Sequence, residues 1–314
     1  MNKIIPEFIV VAPSYSRDHG GTMSLHYLCH LLNEIGIAHI LPIPLGQILS
    51  WANREDFDAI KNIETNRINN FKMAPHLNTP MFKGRTDQNN LVIVYPEVVH
   101  GNPLNGKNVA RWLLYHSGLQ RKAICLTKGE VQFQHKSIFT PTFIEGFVEL
   151  SEILLHIVEI PKKVHNTLAK EIGLNAKVLQ EGRKDVAYCV RKGIKVRHPL
   201  LDETAINIDG KPFDEVVAIL RQCSHFVSFD PNTFFSSIAC ALGCFSIVEA
   251  DLKPDDIVKR KNNMGYISWD GQNIEETWDY RQQLLDRFDN SERKNKSNAQ
   301  AFFNFWEDRL NVSQ

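Results

Sequence analysis

Arg191 and Lys192, followed by Gly193, come directly after an apolar run that ends at Val190, so two cations and a flexible backbone stand where a strand hands over to a loop. Further on, His225 to Glu249 reads as strand, sharp turn, helix and strand: HFVSFD, PNTFFSSIACALG, CFSIVE. Asp230-Pro231 is a helix-start signal. The aspartate can cap free backbone N–H groups, and the proline takes the first helical position, where it has no hydrogen bond to lose. A crossover of this kind puts uncommitted donors and partial positive charge at the carboxyl edge of a parallel sheet, where phosphorylated ligands bind. Asn232, Thr233 and Ser236 add amide and hydroxyl groups there. A second group lies near the start: Asp18 and His19, then Gly20, Gly21 and Thr22, with Glu97 and His100 after a later apolar run. A histidine changes charge near neutrality with little perturbation, which makes His19 the first candidate for accepting a proton. His26 and His30 have the i, i+4 spacing of a metal pair, but with no third ligand nearby one or both read as helix-surface residues.

Alternating strands and helices must position these residues. Phe8–Ala12 reads as a first buried strand, followed by a loop and a helix through Leu25, Leu28, Leu31, Leu32 and Ile35, closed by Gly36. Ala38–Leu41 and Leu91–Tyr95 read as further strands, and Ile124–Leu126 as a short one. Val109, Trp112 and Leu113 suggest an amphipathic helix. In the second half, Ile153–Val158 and Ala187–Val190 are strand candidates, Phe213–Cys223 is a helix, and Gly243 ends the helix that begins at Pro231. Asn290–Asn298 reads as a solvated polar linker before an aromatic helix, Ala299–Leu310, that must be buried. The expectation is an α/β protein of two units plus a final helix, divided between Phe139 and Ser151.

Composition bounds the function. With 314 residues and 43% hydrophobic content, the chain can build two cores. Lys plus Arg equals Asp plus Glu at 36 each, so no global field recruits nucleic acid. Glu7 and Pro6 interrupt the first apolar run, which favours a buried strand over a signal peptide. The apolar segment Phe143–Ile160 holds four glutamates and cannot cross a bilayer. Six cysteines without a CxxC pair read as reduced, small buried residues, so a cytoplasmic protein is expected.

Three segments in order carry a resemblance: Asp18-His19-Gly20-Gly21-Thr22 through Leu25-His26; Tyr95-Pro96-Glu97 with Gly101-Asn102-Pro103 and Arg111-Trp112; and Phe229-Asp230-Pro231-Asn232-Thr233 through Ala241-Leu242-Gly243-Cys244. Together they resemble bacterial glycosyltransferases of the GT-B fold that build surface polysaccharides such as O-antigen and capsule. The resemblance implies two Rossmann-like domains facing across a cleft: residues 1–145 for the acceptor, 146–296 for a nucleotide-sugar donor, and 297–314 as a helix crossing back to the first domain. It implies sugar transfer from a nucleotide-sugar to a growing glycan, without a metal or a cofactor. Arg191 and Lys192 would stabilise charge on the leaving diphosphate. Asp230, Asn232, Thr233 and Ser236 would line the donor pocket, with Asp230 on the sugar hydroxyls. Gly20, Gly21 and Thr22 would face the acceptor, and His19, Asp18 or Glu97 would serve as base. The partners are then a nucleotide-sugar and a glycan rather than nucleic acid, and peripheral attachment to the inner membrane or to other polysaccharide-synthesis proteins is compatible.

The chain departs from the family at one place. Many retaining members carry Glu-x7-Glu, the second acid holding the nucleotide ribose; Asp230 takes the first place here, but Ile238 takes the second. A non-catalytic glycosyltransferase-like subunit and a nucleotide-sugar epimerase on the same scaffold are therefore alternatives. A dinucleotide oxidoreductase fits less well, since SYSRDHGGT lacks the GxGxxG pattern.

Overall fold

The computed structural model describes residues 3–43, 71–83, 89–99, 101–118, 126–142, 144–263, 267–269, 271 and 273–312. His100, Ile124 and Cys125 lie outside the described residues. The chain is mixed α/β, with two parallel-stranded sheets, compatible with a Rossmann-like two-domain fold. Two compact units divide it: residues 1–159 with 292–314, and residues 160–291. The expected divisions at 145/146 and 296/297 therefore differ from those observed.

The first unit contains β1 (Glu7–Ala12), α1 (Gly20–Leu32), β2 (Ile37–Pro42), β3 (Leu91–Pro96), β4 (Asn108–Leu113), β5 (Val131–Gln134) and β6 (Glu149–Leu150). Its strands lie in the order β2-β1-β3-β4-β5-β6, all parallel, with Val10 facing Ile40 on one side and Val94 on the other. The uninterrupted apolar run of β1 follows from burial on both faces. Phe8, Val10 and Ala12 join one cluster with Leu25 and Leu28 of α1, whereas Ile9 and Val11 join another with Ile93 and Tyr95.

The second unit contains α2 (Lys162–Glu171), α3 (Ala176–Gln180), β7 (Asp185–Cys189), β8 (Ile206–Asn207), α4 (Phe213–Leu220), β9 (Cys223–Ser228), α5 (Phe235–Ala241), β10 (Phe245–Val248), α6 (Pro254–Asn263), β11 (Ser268–Trp269) and α7 (Ile274–Trp278). The strand order is β11-β10-β9-β7-β8, again parallel. Gly243, at a φ of 91°, ends α5, and the N–H of Cys244 then closes onto the Ala239 carbonyl at 2.9 Å. Cys240 and Cys244 are buried in this unit's core, where burial pushes the Cys240 thiol up to about 12.

Three sequence expectations are corrected. Val109–Leu113 is not helical but forms β4: Ala110 and Trp112 enter one apolar cluster and Val109 the other. A short apolar run fits either period, and pairing with β3 and β5 decides it. Ile153–Val158 joins no strand. The Leu155 N–H reaches the Gln134 carbonyl at 2.9 Å, and side chains take much of the rest of its backbone: Ser24 Oγ donates to the Ile157 carbonyl, Trp112 Nε1 to that of Leu155 and Asn298 Nδ2 to that of His156. Asn295 holds both the N–H and the carbonyl of Val158, at 3.0 and 2.8 Å. Asn290–Asn298 is accordingly no linker. It lies within a continuous helix, α8 (Arg281–Val312), and Asn295 is 2% exposed. Further along α8, Ala299, Phe302, Phe303, Trp306 and Leu310 complete the first unit's core, where the Phe302 and Phe133 rings meet edge-on at 4.8 Å.

Candidate functional site at the strand reversals

If the strands of each unit are numbered from its own start, both sheets begin 2-1-3-4-5. The order reverses next to the first strand, between β1 and β3 in one unit and between β7 and β9 in the other. Where the order reverses, the connections leaving neighbouring strands pass to opposite faces and part, and ligands bind in the crevice this leaves beyond the carboxyl ends. The residues with candidate chemistry cluster at these two places.

In the second unit, β7 exits into a tight turn. The Gly193 N–H donates to the Val190 carbonyl at 2.8 Å, and Arg191 adopts a φ of 45°. Asp209 Oδ2 accepts from the Val190 N–H at 2.8 Å, and its other oxygen lies 3.9 Å from Arg191 Nε. A glycine is required at 193: a Cβ there would stand 1.8 Å from the Phe229 carbonyl oxygen. The β7 turn therefore packs directly on the exit of β9. The Arg191 guanidinium lies over the Phe235 ring at 4.4 Å, and Lys192 is exposed.

The β9 exit differs from its expected form. Pro231 does not begin a helix. Residues 230–234 form a turn, and α5 starts at Phe235, with Phe234 as an N-cap that makes no side-chain cap bond. Asp230, 4% exposed, caps the turn: its Oδ1 accepts from the Asn232 N–H at 2.9 Å, while Ser228 Oγ donates to its carbonyl at 2.8 Å. Thr233 Oγ1 accepts from the Phe235 N–H at 3.3 Å. All seven residues of α5 are buried, and at its start the Phe235 N–H is taken by Thr233 Oγ1. Ser236 and Ile238, 1% and 0% exposed, belong to this buried helix rather than to the site's rim. Ile238 belongs to that unit's apolar core, so an acid in its place would be buried there.

One residue was missed from sequence. Arg260 of α6 donates through Nη1 to the Pro231 carbonyl at 3.0 Å and to Asn232 Oδ1 at 2.7 Å, and its guanidinium lies 5.6 Å from the Trp269 ring centroid. Its surroundings, KRKNN on an otherwise polar helix, resemble any solvated face. Arg191 and Lys192 thus follow β7, and Arg260 is bonded to the turn that follows β9.

In the first unit, His19 is the exposed N-cap of α1. Asp18 Oδ2 accepts from Ser16 Oγ at 3.1 Å. Thr22 is buried and its hydroxyl serves the loop, donating towards the Ser16 and His19 carbonyls at 2.8 and 2.9 Å. Gly20 and Gly21 are exposed, and a Cβ on Gly21 would stand 3.7 Å from Leu114 Cδ1. The Leu114 N–H in turn donates to Glu97 Oε2 at 3.2 Å. Gly21 and Glu97 therefore both approach Leu114, one at its side chain and the other at its backbone N–H, just beyond the end of β4.

Close by, Tyr15 donates its hydroxyl to Glu159, which also meets His76 Nε2 at 2.7 Å. Burial, with the Glu159 charge second, holds the Tyr15 hydroxyl well above its usual range. Sequence reasoning missed this cluster, since Tyr15 and Glu159 stand 144 residues apart. Of the two histidines of α1, His26 takes no surface position. It is fully buried, its Nε2 bonded to the Pro13 carbonyl at 2.9 Å, while His30 Nδ1 accepts from the Asn78 N–H. Among the described residues no group of three or more His, Cys, Asp or Glu is placed to hold a metal. Arg111 reaches the loop after β3, donating to the carbonyls of Val99 and Gly101, and pairs with the fully buried Glu130 at 2.7 Å.

Against known proteins, the sequence matches no family model and no curated protein.

Proposed function

We propose that this chain is a metal-independent glycosyltransferase of GT-B type that moves a sugar from a nucleotide-sugar to a surface-polysaccharide acceptor. One observation carries the reading: the Arg191–Gly193 turn after β7 packs on the β9 exit that leads into Asp230 and Asn232, at the strand reversal of the second unit. That is where an open parallel sheet holds a phosphorylated ligand. Departure of a nucleoside diphosphate builds negative charge on its terminal oxygens, and fixed cations stabilise that charge more than the starting state's. In this mechanism Arg191 and Lys192 hold the diphosphate, joined by Arg260. Asp230, held by its turn, contacts the sugar hydroxyls. No part falls to a helix amino end at Pro231, since α5 starts only at Phe235. On the acceptor side, His19 removes the hydroxyl proton beside Asp18, Gly20, Gly21 and Glu97.

A second reading is a transferase-like subunit without catalysis. It is favoured by Ile238, which stands in sequence where many retaining members of the family carry a ribose-holding acid. Thermal melting against a panel of nucleoside diphosphates and nucleotide-sugars separates the two. A ligand at about a hundred times its Kd stabilises by about 2.7 kcal/mol, a rise of several degrees. The transferase melts higher with at least one diphosphate, and Arg191→Ala removes the shift while folding normally. A protein indifferent to every nucleotide is not a transferase of this kind. Turnover of a nucleotide-sugar with no acceptor present would point to an epimerase instead.

A further inference from the structure

Beyond the Arg191–Gly193 turn, the loop leaving β7 carries a feature that sugar transfer does not use. Ile194-Lys195-Val196-Arg197 alternates aliphatic residues with cations, and no acid occurs from Arg191 through Leu201. Ile194 is 83% exposed and Val196 48%. Lys195 and Arg197 are exposed as well. A lone bare aliphatic side chain is ordinary. Two of them, one residue apart and interleaved with two cations, form a surface that is apolar and basic at once.

The loop is anchored at both ends. Gly193 packs on Phe229, and His198 is buried, its Nδ1 accepting from the Leu200 N–H at 3.3 Å. Between these ends Lys195 is braced on Tyr188, its Nζ 3.0 Å from the hydroxyl and 4.2 Å from the ring centroid. The aliphatic tips are therefore presented by a supported loop. Since the chain as a whole has no net charge, any attraction for an anionic surface must be this local.

We infer that residues 194–197 dock on an anionic lipid bilayer, with Ile194 and Val196 entering the interface and Lys195 and Arg197 resting on the phosphates. The alternation suits that layered surface, in which acyl chains lie directly under charged headgroups. Two aliphatic tips are far too little for a stable protein interface, which covers about 800 Å² on each partner. The loop also lacks the aromatic side chains that stack on nucleic-acid bases. The inference goes beyond the transferase reading and stands without it.

Co-sedimentation with vesicles tests it, comparing phosphatidylcholine alone with phosphatidylcholine mixed with phosphatidylglycerol. The protein pellets with the mixed vesicles, pellets far less with neutral ones, and is released as salt rises. Lys195→Gln with Arg197→Gln lowers the partition coefficient roughly 25-fold, about fivefold for each charge. Ile194→Asp lowers it by about tenfold or more. All three positions are exposed, so each variant melts with the wild type. Failure to pellet with the anionic vesicles overturns the inference. So does a protein that responds to the charge substitutions but not to Ile194→Asp or Val196→Asp, since that result describes phosphate binding without insertion.

Discussion

Replacing Gly193 with alanine tests how tightly the two strand exits of the second unit are joined. The added Cβ would lie 1.8 Å from the Phe229 carbonyl oxygen and 2.3 Å from its carbon, backbone atoms that cannot swing aside. Ordinary contact begins near 3.4 Å, so the exits must part by 3.4 − 1.8 = 1.6 Å. Such a shift strains the bond from the Phe229 N–H to the Cys189 carbonyl, now 3.0 Å, and the Asp209 bracket on Val190. Overpacking costs about 1–3 kcal/mol, and weakening one or two net hydrogen bonds adds about 1 kcal/mol. The sum, about 2–4 kcal/mol, corresponds to a fall in melting temperature of about 6–12 °C. Gly20→Ala is the matched control: a Cβ there meets nothing within 4 Å, so the same chemical change should stabilise α1 by up to about 1 kcal/mol. Calorimetry or circular dichroism reads both. If Gly193→Ala melts with the wild type, the close approach of the β7 and β9 exits is wrong, and the placement of Arg191 beside Asp230 fails with it.

Arg111→Met should destabilise the first unit by about 3–5 kcal/mol, because Glu130 stays buried with only the Thr127 N–H and Gln132 amide as donors. Adding Glu130→Gln should restore most of that loss in denaturant titrations; no restoration would mean that Arg111 acts through the Val99 and Gly101 carbonyls instead. Acid should also destabilise the first unit. Burial holds the pKa values of His26, His135 and His156 below their usual 6.5, so below that pH the unfolded chain binds more protons than the native one. Stability is then fully present above about pH 6.5 and falls with pH until the lowered native values are reached, by up to about 1.4 kcal/mol per pH unit for each histidine. Urea midpoints measured across this range should flatten in His135→Phe, and an unchanged slope would exclude His135 as a contributor.

The sequence by itself determined the parts of the fold that depend on local pattern. The doubly buried β1 and β3, the apolar face of α1, the glycine stop at Gly243 and the aromatic stripe of the last helix were legible because each carries its period or its cap within a few residues. Asp18, His19, Glu97, Arg191 and Asp230 were found because each follows a recognisable strand, and strand ends are where parallel sheets place their ligands. Tertiary structure decided the rest. Val109–Leu113 is a strand because β3 and β5 stand on either side of it, and Asn295 is buried because Val158, far away in sequence, needs its amide. Pro231 starts no helix because the Asp230 turn and the core around Phe235 delay α5 to that residue. Arg260 and Glu159 carried no local signal at all. Their partners lie 28 or more residues away, and only the folded chain brings a side chain and so distant a partner within hydrogen-bond reach.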